Sequence, residues 1–253
     1  MSDDKSYLDY TSDLEGMSLY LENQEKFFEA PRESDKVLLA LIAKKLNEMG
    51  DAAKGARLID CGCSTSSFLS HVKIAFPDLE LHGIDIAPTV IEANKKSERL
   101  AGIQFAEVDM TTMAFDEPFD ILICNRSMMF FDLASFDVVV KKIAGAIRPG
   151  GRWIMLDYMN PFEQELTIDD VSVWYPEGNR LHMRSYKTHR RSLKDAGFAE
   201  PTFTPFEILI DMPEHPDPSQ IYTRTVMTTE GKRLQFRGAI YQPWCFLEAD
   251  IPA

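Results

Sequence analysis

Asp60 and Asp85 each close a short apolar run, LID and LHGID, and so place a carboxylate at the carboxyl end of an expected strand. Open α/β sheets bind their ligands at that end. The residues after Asp60 read CGCSTSS. Gly62 permits a tight turn and close approach of a ligand to bare backbone. The hydroxyls of Ser64 to Ser67 can cap the helix that follows. An acid ending the next strand commonly accepts hydrogen bonds from ribose hydroxyls. The set Asp60, Gly62, Cys63, Ser64, Asp85 and Ile86 therefore points to a nucleoside-bearing cofactor. Either aspartate alone would serve equally well as a solubilising strand end. The pair in this register favours a site. A nicotinamide dinucleotide fits poorly, because Ser64 and Ser66 crowd the place where glycines give a pyrophosphate its clearance.

The elements that must position these residues follow from the hydrophobic pattern. Short apolar runs at 57–61, 79–85, 103–108, 119–125 and 152–158 alternate with amphipathic segments at 66–76, 88–100 and 133–147. Alternation of this kind predicts a parallel sheet with helices on both faces, and strands apolar throughout predict that both faces are covered. The expected fold is therefore α/β: a doubly wound, mainly parallel, Rossmann-like sheet. Upstream, SDKVLLALIAKKLNEMG sets Val37, Leu38, Leu41, Ile42 and Leu46 on one helical stripe that stops at Gly50. Downstream, VSVWYPEGNRLHMRSY reads as a hairpin turning at residues 176–179, and THRRSLKDAGF as a helix stopped by Gly197. A second hairpin, TRTVMTTEGKRLQFRG, and a last strand, YQPWCFLEA, follow. The expected organisation is one domain over 1–253, with a helical cap (1–55), a cofactor-binding half (56–160) and a substrate-side half (161–253).

Composition narrows the partners. The chain has 253 residues, 45% hydrophobic and 26% charged, with a formal net charge of −13. That charge repels phosphate backbones, so nucleic acid is not an expected partner, and HRRSLK is only a small basic patch. No apolar run reaches the ~20 residues that span a bilayer. The acidic, polar start MSDDKSYLDYTSD does not read as a secretory leader. Cys61, Cys63, Cys124 and Cys245 lie in apolar stretches, which suggests reduced thiols in a cytoplasmic protein. Cys-x-Cys is not a structural zinc spacing and no histidine completes it, so no metal is expected.

Five stretches, in order, resemble the class I S-adenosylmethionine-dependent methyltransferases. LIDCGCSTS resembles the first motif of that family, and HGIDIAP its second strand with the ribose-binding acid, Asp85. FAEVDM resembles the segment whose acid, here Asp109, receives the adenine amino group, with Met110 beside the ring. FDILICNRSMMFF resembles the fourth strand, which lines cofactor and substrate entrance, and AGAIRPGGRWIMLDY the fifth. SLKDAGFAEPTFTPFE resembles the penultimate helix and sixth strand. The resemblance covers about residues 55–210. It departs where the family has its second and third motif glycines, at Ser64 and Ser66. If those positions need φ > 0, each serine costs up to ~1–2 kcal/mol. The alternative is that the serines cap the helix.

The resemblance implies S-adenosylmethionine as cofactor, held by the residues above with Asn125 and Arg126, and methyl transfer to a small-molecule acceptor, as in small-molecule biosynthesis. Such a displacement needs alignment and a suitable field more than a base, and no catalytic residue stands out. Met128 after the fourth strand, and Asp157 and Tyr158 at the end of the fifth, lie at the expected mouth. Family members fold N-terminal segments over the cofactor, which makes Tyr7, Tyr10, Tyr20, Phe27, Phe28 and Arg32 lid candidates. The hairpin at 171–186 carries Trp174, Tyr175, Arg180, His182 and Arg184 and is expected to wall an acceptor pocket. The same surface would suit a homodimer contact. Two other functions stay open at this point: a catalytically silent cofactor-binding module with a regulatory role, and a protein methyltransferase.

Overall fold

The computed structural model describes residues 24–172, 175–217 and 219–253. Tyr7, Tyr10, Tyr20 and Trp174 lie outside them. The parallel half of the central sheet contains β1 (Arg57–Cys61), β2 (Glu80–Asp85), β3 (Gln104–Glu107), β4 (Phe119–Asn125) and β5 (Ile147–Asn160). Their spatial order is β3-β2-β1-β4-β5. The chain thus works outward from β1 to β3, then crosses back to place β4 on the other side of β1. That reversal opens a crevice at the carboxyl ends of β1 and β4, the place where such sheets take ligands.

Two-sided burial explains the unbroken apolar strands. Leu58, Ile121, Ile123, Ile154 and Leu156 face one core, shared with Leu38, Ile42, Phe68, Leu69 and Val72. Ile59, Leu122, Cys124, Trp153 and Met155 face the other, shared with Phe136, Val139, Val140 and Ile143. The helices of the first layer are α1 (Glu33–Met49) and α2 (Ser67–Ala75), with α3 (Pro88–Lys96) adding Ile91. Those of the second are α4 (Leu133–Ala146) and α5 (Tyr186–Asp195). The ends follow from local chemistry. Pro88 opens α3, and Asp132 caps α4 by accepting from Ser135 N–H at 2.7 Å. Gly50 and Gly197 take positive φ just past α1 and α5.

Beyond β5 the chain forms a hairpin of β6 (Leu166–Ser172) and β7 (Tyr175–Ser185). The turn is not at residues 176–179. Asp170 pairs with Asn179 and Ser172 with Tyr175, so the Pro-Glu-Gly-Asn stretch lies within β7, and a register shift between Asp170 and Ser172 absorbs it. The end of β7 runs parallel to the end of β5, with Met159 opposite Arg184. After β8 (Thr202–Pro205), strands β9 (Thr223–Met227), β10 (Arg233–Arg237) and β11 (Ile240–Tyr241) form a separate antiparallel sheet. The last strand, β12 (Trp244–Asp250), inserts antiparallel between β5 and β8. Strand β5 begins earlier than its apolar core suggests, because Phe119 already pairs with Ile147 across an irregular register. Among the described residues no helix is long and apolar enough to cross a membrane.

Candidate functional site

The turn after β1 is built from backbone. Gly62 and Cys63 N–H both donate to the Ile84 carbonyl, at 2.8 and 2.9 Å, which folds the chain over the end of β2. Ser66 N–H then closes on Cys63 O at 2.8 Å. Gly62 has φ +79, and a Cβ there would lie 2.6 Å from Ser127 Cβ. Ser64 and Ser66 have φ of 46 and 59, the left-handed region, so both serines sit in conformations that favour glycine. Neither caps α2. Ser66 is the residue before the helix, yet its side chain makes no cap bond. Its Oγ instead accepts from Asn94 Nδ2 at 3.0 Å, and the same amide donates to Ser64 O at 2.7 Å.

Three acids surround this turn. Asp85 accepts from Ser64 N–H through Oδ2 (2.9 Å) and from Ala87 N–H through Oδ1 (3.0 Å). Burial raises its pKa, against the N–H groups of Ala87, Ser64 and Ile86. Asp60 is buried, and its Oδ1 has no hydrogen-bond partner. Burial pushes its carboxyl up to about 8, with the charges of Asp85 and Asp35 adding to the rise and Arg126 opposing it. Asp109 follows β3, and its Oδ1 accepts from Thr111 N–H and Oγ1, each at 2.8 Å.

A fourth acid ties α1 to this end of the sheet. Asp35 is fully buried and accepts from Arg32 N–H (3.1 Å), Asn125 Nδ2 (3.3 Å) and Arg126 Nη2 (3.3 Å). Arg126 has φ 64, a strained value for an arginine, and its N–H is held by Leu156 O at 2.8 Å.

A cavity of about 440 Å³ opens here. Its wall includes all ten residues expected on the cofactor side: Asp60, Gly62, Cys63, Ser64, Asp85, Ile86, Asp109, Met110, Asn125 and Arg126. Phe27 and Arg32 also reach it, with the Arg32 guanidinium 3.5 Å from the Phe27 ring centre. Phe28 faces Arg99 instead.

The acceptor side departs further from expectation. Tyr158 lines the cavity, its ring 4.2 Å from that of Trp244, and its hydroxyl accepts from Gln242 Nε2 at 2.5 Å. Met128 and Asp157 lie buried behind the wall rather than on it. The single 3₁₀ turn Met128–Phe130 explains Met128: it aims Met129 and Phe130 at the cavity and Met128 at the core. His182 is on the wrong face of β7. Asn179 and Leu181 face the cavity, so Arg180 and His182 alternate outward, where they meet Asp169 and Thr167. Arg184 is buried off the wall. Residues that local patterns did not single out complete the cavity: Met129, Phe130, Phe131, Asp170, Leu181, Arg237, Ile240, Gln242 and Trp244. Asp170 and Leu181 come from the hairpin, at positions other than those expected, and Arg237 and Ile240 from the separate sheet, whose approach to the mouth no local pattern announces.

The four cysteines are buried and unpaired. Burial pushes the thiols of Cys61, Cys63 and Cys245 up, away from thiolate. Among the described residues no group of three His, Cys, Asp or Glu side chains could hold a metal ion.

A family model described as a methyltransferase domain matches residues 52–195. The chain is 25% identical over 153 residues to a carboxy-S-adenosyl-L-methionine synthase of Campylobacter fetus subsp. fetus, across 60% of this chain and 62% of that protein. It is 26% identical over 159 residues to a malonyl-[acyl-carrier protein] O-methyltransferase of Acetivibrio thermocellus, across 60% of this chain and 48% of that one. It therefore spans less than two thirds of either relative. Among solved structures, an amino pentose methyltransferase from Micromonospora echinaspora with S-adenosylmethionine bound superposes with a TM-score of 0.56 at 15% identity, covering 91% of this chain and 96% of that one. A glycopeptide N-methyltransferase in complex with S-adenosylmethionine gives 0.55 at 13%, covering 85% and 94%. At these identities the two structures speak to the fold alone.

Proposed function

Because the chain belongs to the class I S-adenosylmethionine-dependent methyltransferases, we propose that its cavity holds S-adenosylmethionine and that the protein transfers the methyl group to a small-molecule acceptor. One observation carries the reading: strand-end acids converge on one cavity, and one of them, Asp60, is buried with an oxygen that no protein group satisfies. A buried, unmatched carboxyl suits a cationic ligand, whose charge favours its ionised form, and a pyrophosphate would only push its ionisation further up. Gly62 adds a stretch of wall where backbone alone meets the ligand.

In this reading Asp85 takes the ribose hydroxyls on the lone pairs that Ser64 and Ala87 leave open, and Asp109 takes the adenine amino group, with Ile86 and Met110 against the ring. Asp60 and the backbone of Gly62 to Ser64 face the methionine part. S-adenosylmethionine supplies a methyl group activated by its positive sulfur. The chain's part is to align the acceptor, exclude water and present a field that suits the dispersing charge. The acceptor side combines Met129, Phe130, Phe131, Leu181, Ile240 and Trp244 with the polar ends of Tyr158, Gln242 and Arg237. That mixture supports an acceptor with a flat or apolar body and a polar end. Arg237, Ile240, Gln242 and Trp244 lie outside residues 52–195, which the family model matches, so that match does not specify the acceptor. The buried, unpaired cysteines support a cytoplasmic setting.

The test is transfer of label from methyl-labelled S-adenosylmethionine, with the purified protein and small-molecule fractions of a cell extract. Label in a small molecule supports the reading. Label in protein alone makes it a protein methyltransferase, and cofactor binding with no transfer to either makes it a silent module.

A further inference from the structure

Arg184 is a buried charged residue that stands next to the acceptor side without lining it. Arg184 lies on β7, opposite Met159 at the end of β5. Its Nη1 donates to Met128 O at 3.2 Å, its Nη2 donates to Phe131 O, and its guanidinium lies 4.2 Å from the Phe136 ring centre. Asp157 is buried two residues before Met159, and its Oδ2 has no hydrogen-bond partner. Its Oδ1 accepts from Tyr158 N–H at 2.6 Å, the residue that carries the cavity ring. The turn after β4 is therefore held through two of its carbonyls, both by one guanidinium. The side chains of Met129, Phe130 and Phe131 project from that turn into the cavity.

We propose that Arg184 is a positioning residue that fixes the acceptor wall from behind, so that the inserted hairpin decides which acceptor fits. The proposal rests on the acceptor side lying where the proposed function puts it. A buried charge is expensive, and an apolar side chain of similar volume would fill the same space at lower cost. What the charge adds is direction. A planar guanidinium bridges two carbonyls at once, which a lysine ammonium on a flexible stem does not. Residues 128–131 make no regular strand or α-helix, so the turn's geometry depends on such side-chain bonds. The hairpin thus acts on the cavity twice: directly through Asn179 and Leu181, and indirectly through Arg184.

The experiment compares wild type with Arg184→Lys and Arg184→Met. Hydrogen exchange is read at the amides of residues 129–131. S-adenosylhomocysteine affinity is measured by calorimetry. The acceptor side is probed by 1-anilinonaphthalene-8-sulfonate, a flat apolar anion, titrated with S-adenosylhomocysteine saturating. The expected result is faster exchange at residues 129–131 in both variants. The probe's affinity falls by about tenfold, the factor given by one lost hydrogen bond to a charged group, while S-adenosylhomocysteine affinity stays within about twofold. Arg184→Lys keeps the charge, so it reports on the bridge even where Arg184→Met does not fold. Unchanged exchange at residues 129–131 overturns the proposal. So does a parallel fall in both affinities, which would mean general damage. If the wild type does not bind S-adenosylhomocysteine, the proposed function fails, and the exchange comparison still decides the clamp.

Discussion

Gly62→Ala isolates the geometry on which the cofactor turn depends. Two separate penalties apply. The residue has φ +79, where a Cβ costs about 1–2 kcal/mol. The new Cβ would also lie 2.6 Å from Ser127 Cβ and 3.1 Å from its Oγ. Ser127 cannot rotate this clash away, because Cβ is fixed by the backbone, and its Oγ is bonded to Cys61 O at 2.9 Å. Relieving overpacking of that kind typically costs about 1–3 kcal/mol. Together the change should destabilise the protein by about 2–5 kcal/mol, a large share of the roughly 5–15 kcal/mol that holds a domain folded. Urea unfolding of wild type, Gly62→Ala, Ser127→Gly and the double variant separates the two parts. In the double variant the clash is gone and the φ penalty remains, so a coupling of about 1–3 kcal/mol should appear. A loss under about 0.5 kcal/mol in Gly62→Ala, within the range of ordinary surface changes, or no coupling with Ser127→Gly, would refute this geometry.

Three further outcomes follow from the same site. Ser64→Gly and Ser66→Gly both relieve a positive φ, but only Ser66→Gly removes a buried partner of Asn94. Ser66→Gly should therefore be the less stable of the two by about 1–3 kcal/mol in urea unfolding. Asp60 ionises at about 8 in the folded chain against its ordinary 3.8. The stability it contributes is complete below that ordinary value and is lost as pH rises through about 8. Unfolding free energy should thus fall between those limits by up to about 1.4 kcal/mol per pH unit, and Asp60→Asn should flatten the slope. Asp35→Ala removes an acceptor shared by Arg32, Asn125 and Arg126, and should cost about 3 kcal/mol of stability in the same assay.

The convergence of the strand-end acids on one cavity was legible because each sits beside a strand end that the apolar pattern marks. Asp60, Asp85 and Asp109 follow their runs directly, and a carboxylate placed there can only project at the mouth of a parallel sheet. Gly50 and Gly197 likewise marked helix stops by their own chemistry. The acceptor side was less legible because long-range contacts assemble it. Nothing near Tyr158 announces Gln242, and Arg184 meets Met128 only after β7 aligns with β5. The hairpin also shows how register governs such a reading. Pro176 to Asn179 carry turn residues, but the pairing of Ser172 with Tyr175 keeps them in the strand, and the alternation of β7 then sends His182 outward and Leu181 inward. The serines at 64 and 66 were visible as departures. Their left-handed backbone could not be read from composition, since it depends on Asp85 and Asn94 gripping the loop.

Calorimetric titration of S-adenosylmethionine into wild type and Asp85→Ala tests the central claim most directly. One bound molecule per chain is expected in the wild type. In Asp85→Ala, the loss of charge-assisted hydrogen bonds should weaken binding by about 1.5–3 kcal/mol, or roughly tenfold to a hundredfold. A folded wild-type protein that takes up no S-adenosylmethionine, or an Asp85→Ala variant that binds it with unchanged affinity, would contradict the account.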